Sequence, residues 1–481
     1  MSDRLLTLDF GVVALYLLVT LIVGIVKGRG VKTMEQFAIG PLDRYATVVL
    51  VATLLSSRFG GTATVGVSGR VFRSGMILFV AQMGTFAGYM LMSKIVAPYA
   101  GRFRGMVSAG DMMGSFYGGS ARIVTGIAGV CFCLVGLSVQ IGAVCYFCQY
   151  FFGISKLTSA IIGAEIVVIY TWFGGSRSVA YTDMVQFCVL AISIPLIAIM
   201  GVYSVGGTHT FLNQVPSEKL TLFPEGPERR DFMWLFLFFC LPRLVPVDVQ
   251  RLLMARDARQ AVIAFQATGL IRAFLTFCVA CIGLIALCSK TSLEPDQAFF
   301  HVVKIALPEG CRGFAIAGLI AAVMSSADSK LSSAAIHLTH DVIKPLVPRI
   351  SDFNERLIAQ VTTVVLGNLA ILFVLIFDSI FALKIVSLVA WYPPILSPLL
   401  LGIMGIKASS RAFLLSSCSG FVMALAWKFA EIRGEGILKF PLVPSIAISA
   451  AVLLIARCFD PPEKRGRFDN PFAGKSPLSP K

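Results

Sequence analysis

Charge is scarce in this chain. Asp, Glu, Lys and Arg make up 14% of the 481 residues, and apolar residues make up 57%. A soluble chain carries about a quarter charged residues, so a soluble protein is excluded, and no polar block is long enough to form a separate soluble domain. Histidine is scarcer still: the four present, His209, His301, His337 and His340, show no metal-ligand spacing. No nucleophile–base pair and no phosphate-cradling loop accompanies them, which argues against an enzyme and gives no reason to expect a cofactor. Most of the twelve cysteines, Cys131, Cys133, Cys188, Cys240, Cys278 and Cys281 among them, lie inside apolar runs and read as small hydrophobes. Cys145 and Cys148 form a CxxC without a matching second pair.

What is present is a succession of apolar runs of about 20 residues, the length that crosses a bilayer as a helix. Hydropathy places 13 spans near 10–26, 45–68, 75–97, 121–150, 157–172, 184–205, 232–249, 264–288, 313–340, 357–378, 380–405, 411–430 and 439–458. The fold class is therefore an all-α polytopic membrane protein. Lys and Arg outnumber Asp and Glu by 41 to 26. Because most of these charges sit in short loops, they set topology and do not imply nucleic-acid binding. Basic residues at Lys27, Arg29 and Lys32, at Arg251, Arg256 and Arg259, and at Lys344 and Arg349 mark alternate loops as internal. This puts the N-terminus outside and the C-terminus in the cytoplasm of a plasma or bacterial inner membrane. The first apolar run is too long for a signal peptide and is followed by its positive charge. The tail, 461–481, reads as disordered.

Two spans are interrupted. The second contains LLSSRFGGTATVGVSG, with a serine pair, Arg58 and the pair Gly60–Gly61. The seventh contains FFCLPRLVPVDVQR, with Pro242 and Pro246 flanking Arg243. Breaks at corresponding positions in two halves of a transporter mark its midplane site, where freed carbonyls coordinate cations. The run Gly318–Asp341 is unusual in another way. At about 100° per residue, Ala322, Ser325, Ser326, Ser329 and Ser333 share one face; Asp328 lies on one flank and Lys330 on the opposite one. A carboxylate at membrane depth costs roughly 2.5–3.5 kcal/mol, so it needs a partner or a role. Hydroxyls and a carboxylate are also what a hard cation prefers. On this stretch alone, small-residue packing and ion binding are equally good readings.

Four motifs connect these features. YTWFGGSRSVAYTDMVQ (Tyr170–Gln186), DVQRLLMARDARQA (Asp248–Ala261), the stretch DQAFFHVVKIALPEG leading into the serine helix, and SSRFGGTATVG together resemble the sodium:solute symporter family. The resemblance runs from about residue 10 to 430. It implies a LeuT-like core of two inverted five-helix repeats. The expected divisions are an extra helix and inside loop (1–40), the repeats 41–205 and 232–406 separated by an outside loop (206–231), and two further helices (407–460) before the tail.

The resemblance also implies roles. A main sodium site uses carbonyls at Ser56 and Phe59 with Ala322, Ser325 and Ser326. A second cation site falls at Asp183, Ser325, Asp328 and Ser329. For Asp183 the alternative is a helix cap assisted by Thr182. Arg58 departs from the family, where Asp or Asn is frequent at this position, and three readings stay open. Arg58 binds an anionic substrate together with Arg243, stands in for sodium in an exchanger, or pairs with Asp328 or Asp183. Arg243 in turn has pairing with Asp248 as its alternative. Gly60, Gly61, Gln82, Gln140 and Trp234 complete the expected solute site. The expected function is sodium-coupled symport of a small organic solute, anionic or zwitterionic, such as a carboxylate or amino-acid-like compound. A transporter-like membrane sensor is the alternative from another class, and solute, sodium ion and lipid bilayer are the expected partners.

Overall fold

The computed structural model describes residues 7–40, 45–226, 228–289, 293–377, 380–432 and 442–460, and these fold as helices and connecting turns without a strand. The tail 461–481 lies outside the described residues. In chain order the principal helices are α1 (Thr7–Gly28), α2 (Thr47–Ser56), α3 (Val65–Ser74), α4 (Ile77–Leu91), α5 (Gly119–Phe152) and α6 (Lys156–Ser204). There follow α7 (Glu228–Cys240), α8 (Pro246–Leu253), α9 (Ala258–Cys288), α10 (Cys311–Ile336) and α11 (Asp352–Ile376). The last are α12 (Ile380–Trp391), α13 (Ser410–Ile432) and α14 (Leu442–Cys458). Among the described residues, eight helices are long and apolar enough to cross a membrane unaided. The chain is an integral, multi-pass membrane protein.

Both expected breaks are present. The second span divides into α2 and α3, with residues 57–64 outside any α-helix. The seventh divides into α7 and α8, with Pro242 and Arg243 in the gap and Pro246 opening α8, where its missing N–H is no loss. One boundary differs from expectation. Residues 157–205 form not two helices separated by a loop but the single run α6, interrupted only at Gly175 (φ 53°, ψ −138°). Forty-nine residues at about 1.5 Å each exceed one bilayer crossing, and the break at Gly175 divides the run into two. The positive φ suits glycine, and a Cβ there would meet the Phe37 ring at 2.8 Å. The loop 206–231 carries short helices at Gly207–Gln214 and Ser217–Leu220.

The serine helix α10 is the centre of the bundle, in contact with α1, α5, α6 and α11. Small residues permit close approach where apolar side chains gain nothing by leaving lipid. Gly24 of α1 packs on Tyr170 and Thr182, and Gly28 on Gly174. Beyond α10 the helix widens into a π-helical turn, His337–Ile343. There Asp341 pairs with His337 (2.6 Å) and Arg122 (3.5 Å), while Asp111 pairs with Arg122 (2.9 Å) and His340 (2.9 Å). Burial opposes ionisation of Asp111, but His340 and Arg122, with the backbone N–H of Val107, hold its carboxyl well below the usual carboxylate range.

Candidate functional site

The serine face of α10 lies against the end of α2. Ser325 Oγ donates to the Ser56 carbonyl oxygen at 2.8 Å and approaches the Ala322 carbonyl oxygen at 3.2 Å; Ser326 Oγ lies 3.5 Å from the same Ser56 oxygen. Ser56 Oγ in turn donates to the Asp183 carbonyl oxygen at 3.2 Å. Phe59, Ala322 and Ser325 are fully buried. Around a hard cation with ligands at about 2.3–2.6 Å, neighbouring oxygens of an octahedral shell lie about 3.3–3.7 Å apart. Two of the three spacings already match or nearly match that figure, and the third needs to widen by about half an ångström. The oxygens of Ser56, Ala322, Ser325 and Ser326 are therefore a candidate ligand set for a hard cation, which would supply positive charge at the junction of α2 and α10.

Gly60 makes that junction tight: a Cβ on it would collide with Ser326 Oγ and come within 2.7 Å of Gln140 Oε1. Gln140 Oε1 also accepts from the Gly61 N–H at 3.2 Å, fixing the break to α5.

The second cation position is different. Asp183 lies eight residues past Gly175, two turns into a helix, so the cap reading does not hold. The Thr53 hydroxyl donates to its carboxylate. Arg251 Nη2 lies 3.5 Å from Asp183 Oδ2 and donates to Ser329 Oγ at 2.8 Å. The sequence reading put Arg251 in an internal loop; instead it is 1% exposed and points into the protein from α8. A guanidinium thus lies between Asp183 and Ser329, where a second sodium was expected. Asp328 accepts from the Tyr170 hydroxyl at 2.7 Å. Asp183 Oδ1 and Asp328 Oδ1 are buried without a hydrogen-bond partner.

Arg58 meets neither Asp183 nor Asp328. Its Nε lies 3.5 Å from Asp248 Oδ2, so the partner expected for Arg243 belongs to Arg58. The reason is rotational: Asp328 faces Tyr170 on α6, away from the break. Arg243 instead reaches Thr85 Oγ1 (3.2 Å), the Phe239 carbonyl (3.4 Å) and the Tyr392 hydroxyl (3.5 Å).

A cavity of about 280 Å³ opens beside the first cation position. Its lining includes Arg58, Gly60, Gln82, Gln140, Arg243 and Ser326. Gly61 and Trp234 do not line it; Leu235, Phe238 and Phe239 of α7 do. Three cationic residues that sequence reasoning did not place in the site also line it: Arg70, Arg272 and Lys330. Arg272 Nη1 donates to the Arg58 carbonyl oxygen at 2.8 Å, and Lys330 Nζ to the Ser326 carbonyl oxygen at 2.9 Å. The signal for Arg272 was available, since it is an arginine inside an apolar span.

The chain is 26% identical over 458 residues to the high-affinity choline transporter 1 of Drosophila melanogaster, covering 90% of this chain and 72% of that one. It is 23% identical over 442 residues to the sodium/proline symporter of Staphylococcus aureus, covering 86% and 84%. Its fold matches the substrate-bound, outward-open structure of a Na⁺-coupled sialic acid symporter with a TM-score of 0.80 at 18% identity, covering 94% of this chain and 97% of that one. The fold is therefore that of LeuT-type transporters, and the chain is a transporter rather than an enzyme. The family model of the sodium:solute symporters matches residues 43–420: the chain belongs to the sodium:solute symporter family.

Proposed function

We propose that this protein couples the inward movement of sodium to the uptake of a small organic anion by alternating access. The observation that carries the reading is the oxygen cluster of Ser56, Ala322, Ser325 and Ser326, built from a broken helix and the serine face and adjoining a cavity lined by cationic side chains. Sodium holds α2 against α10, and the solute lies beside it against Arg58, Arg243 and Gln140. Amino-acid-like zwitterions share the carboxylate that these guanidiniums grip. The N-terminus faces outward and the C-terminus the cytoplasm, with the basic loops inside.

Exchange driven by Arg58 in place of sodium is the weaker reading. The Arg58 guanidinium is directed to Asp248, while the Ser56 carbonyl receives serine hydroxyls. Uptake of radiolabelled carboxylates and amino acids into proteoliposomes, with sodium or potassium outside, tests the proposal. Accumulation only with a sodium gradient supports it; equal uptake in both salts rejects sodium coupling.

A further inference from the structure

The charge around the cavity goes further than a single carboxylate requires. Arg58 comes from the first break, Arg243 from the second and Arg272 from the middle of α9, and all three line the same 280 Å³. One carboxylate, Asp248, stands against them. It is fully buried at 3.5 Å from Arg58 Nε, and neither of its oxygens accepts a hydrogen bond. Counting these three guanidiniums against the one carboxylate leaves two positive charges; Arg70 and Lys330, which also line the cavity, have interactions of their own and are left out of the count. Arg243 is 7% exposed, and its Nε, like that of Arg272, is buried without a hydrogen-bond partner. No carboxylate is among the lining residues, and buried cations without counter-charge are costly.

Resting on the reading above, the geometry points to a dianionic solute: a small organic molecule carrying two negative charges, as a dicarboxylate or a phosphate monoester does. Its two charges neutralise the surplus left by Asp248. Guanidiniums suit either class, since both carboxylate and phosphate accept paired N–H groups. Size agrees. A cavity of about 280 Å³ is near the small end of ligand pockets, about 300–1,000 Å³, and suits a small solute. Apolar side chains of Phe132, Leu235, Phe238, Leu388 and Val389 complete the lining and suit a short hydrocarbon backbone. Sodium adds one positive charge at the adjacent cluster, so on this count the loaded sites are one unit less positive than the empty ones.

The test uses the full chain in proteoliposomes with a sodium gradient and labelled solutes of matched length. Succinate and glutarate represent dicarboxylates, glycerol 3-phosphate represents phosphate monoesters, and butyrate and alanine carry one carboxylate. Succinate, glutarate or glycerol 3-phosphate taken up with at least tenfold preference over butyrate and alanine supports the proposal, and which of them wins identifies the class. The variants Arg272→Gln and Arg243→Gln should reduce uptake of the preferred dianion at least tenfold and narrow its advantage over the monoanion. Arg272→Lys should restore the preference in part, which a merely structural role would not do. Sodium-driven uptake of butyrate or alanine, with the dianions failing to compete, overturns the dianion inference and leaves sodium symport standing. Absence of sodium-driven uptake for every probe overturns both.

Discussion

Replacing Ser325 with alanine tests the proposed sodium cluster without any knowledge of the solute. The substitution removes one oxygen of the set and two hydroxyl contacts, at 2.8 Å to Ser56 and 3.2 Å to Ala322. Two effects follow, and they separate. In the absence of sodium the variant loses a hydrogen bond, about 1 kcal/mol, partly offset by alanine's better helix propensity. In its presence the variant also lacks a ligand. Contacts to charged partners contribute about 1.5–3 kcal/mol, so sodium affinity should fall roughly 10- to 150-fold. At a sodium concentration 100 times the native Kd, the ion stabilises the folded protein by about 2.7 kcal/mol; the same concentration should give the variant only about 0.3–1.4 kcal/mol. The assay is thermal unfolding of purified protein in detergent, titrated with sodium against a potassium background of equal ionic strength. A parallel shift of the sodium titration in Ser326→Ala is expected. If both variants respond to sodium as the native protein does, the ion does not bind there and the coupling mechanism is wrong.

Three other substitutions follow from the same geometry. Arg251→Gln leaves Asp183 and Asp328 buried without a cation and should lower stability by roughly 3–5 kcal/mol. Adding Asp183→Asn should recover part of the loss, and strictly additive melting shifts would show that the two residues do not interact. Gly60→Ala forces a methyl against Ser326 Oγ and Gln140 Oε1, and should cost about 1–3 kcal/mol and weaken the sodium response. Gly66→Ala, whose Cβ meets nothing closer than 3.8 Å, is the control, and equal melting shifts would refute the close-approach argument. Asp111→Asn concerns pH. Because the folded carboxyl is held below its ordinary value, its stabilisation is present above about pH 4 and is lost as pH falls through the lowered value. The variant should therefore melt below the native protein from pH 7 down to about 5, with the gap closing only under stronger acid. A gap that closes between pH 7 and 5 would contradict the ion pairing.

The sequence made the helices and both breaks legible because hydropathy, proline and the glycine pair act locally. The face of Ala322, Ser325 and Ser326 was legible from helical periodicity, since one rigid helix carries all three. Arg272 was legible too, as a charge in an apolar run, but nothing in one sequence aims it at Arg58. The partners of Arg58, Arg243 and Asp328 depend on how several helices are rotated about their axes, and composition carries no trace of that. Arg251 was hidden for another reason. DVQRLLMARDARQ has the composition of a basic loop, and only tertiary packing shows that its first arginine turns inward while Arg256, beside Asp257, stays at the surface. The helix-cap alternative for Asp183 arose because YTWFGGSRS falls between two expected spans, yet α6 pauses there at a single glycine.

Ser326 belongs to two places at once. Its hydroxyl faces the Ser56 carbonyl, and the residue also lines the solute cavity, with Gly60 packed against it. The proposed ion and solute sites therefore share a wall one side chain thick, and no relay across the protein is needed to connect them. By linkage, whatever factor sodium contributes to solute affinity, the solute must return to sodium affinity. A substitution at this partition would change the conversation between the two ligands before it changed the binding of either one alone.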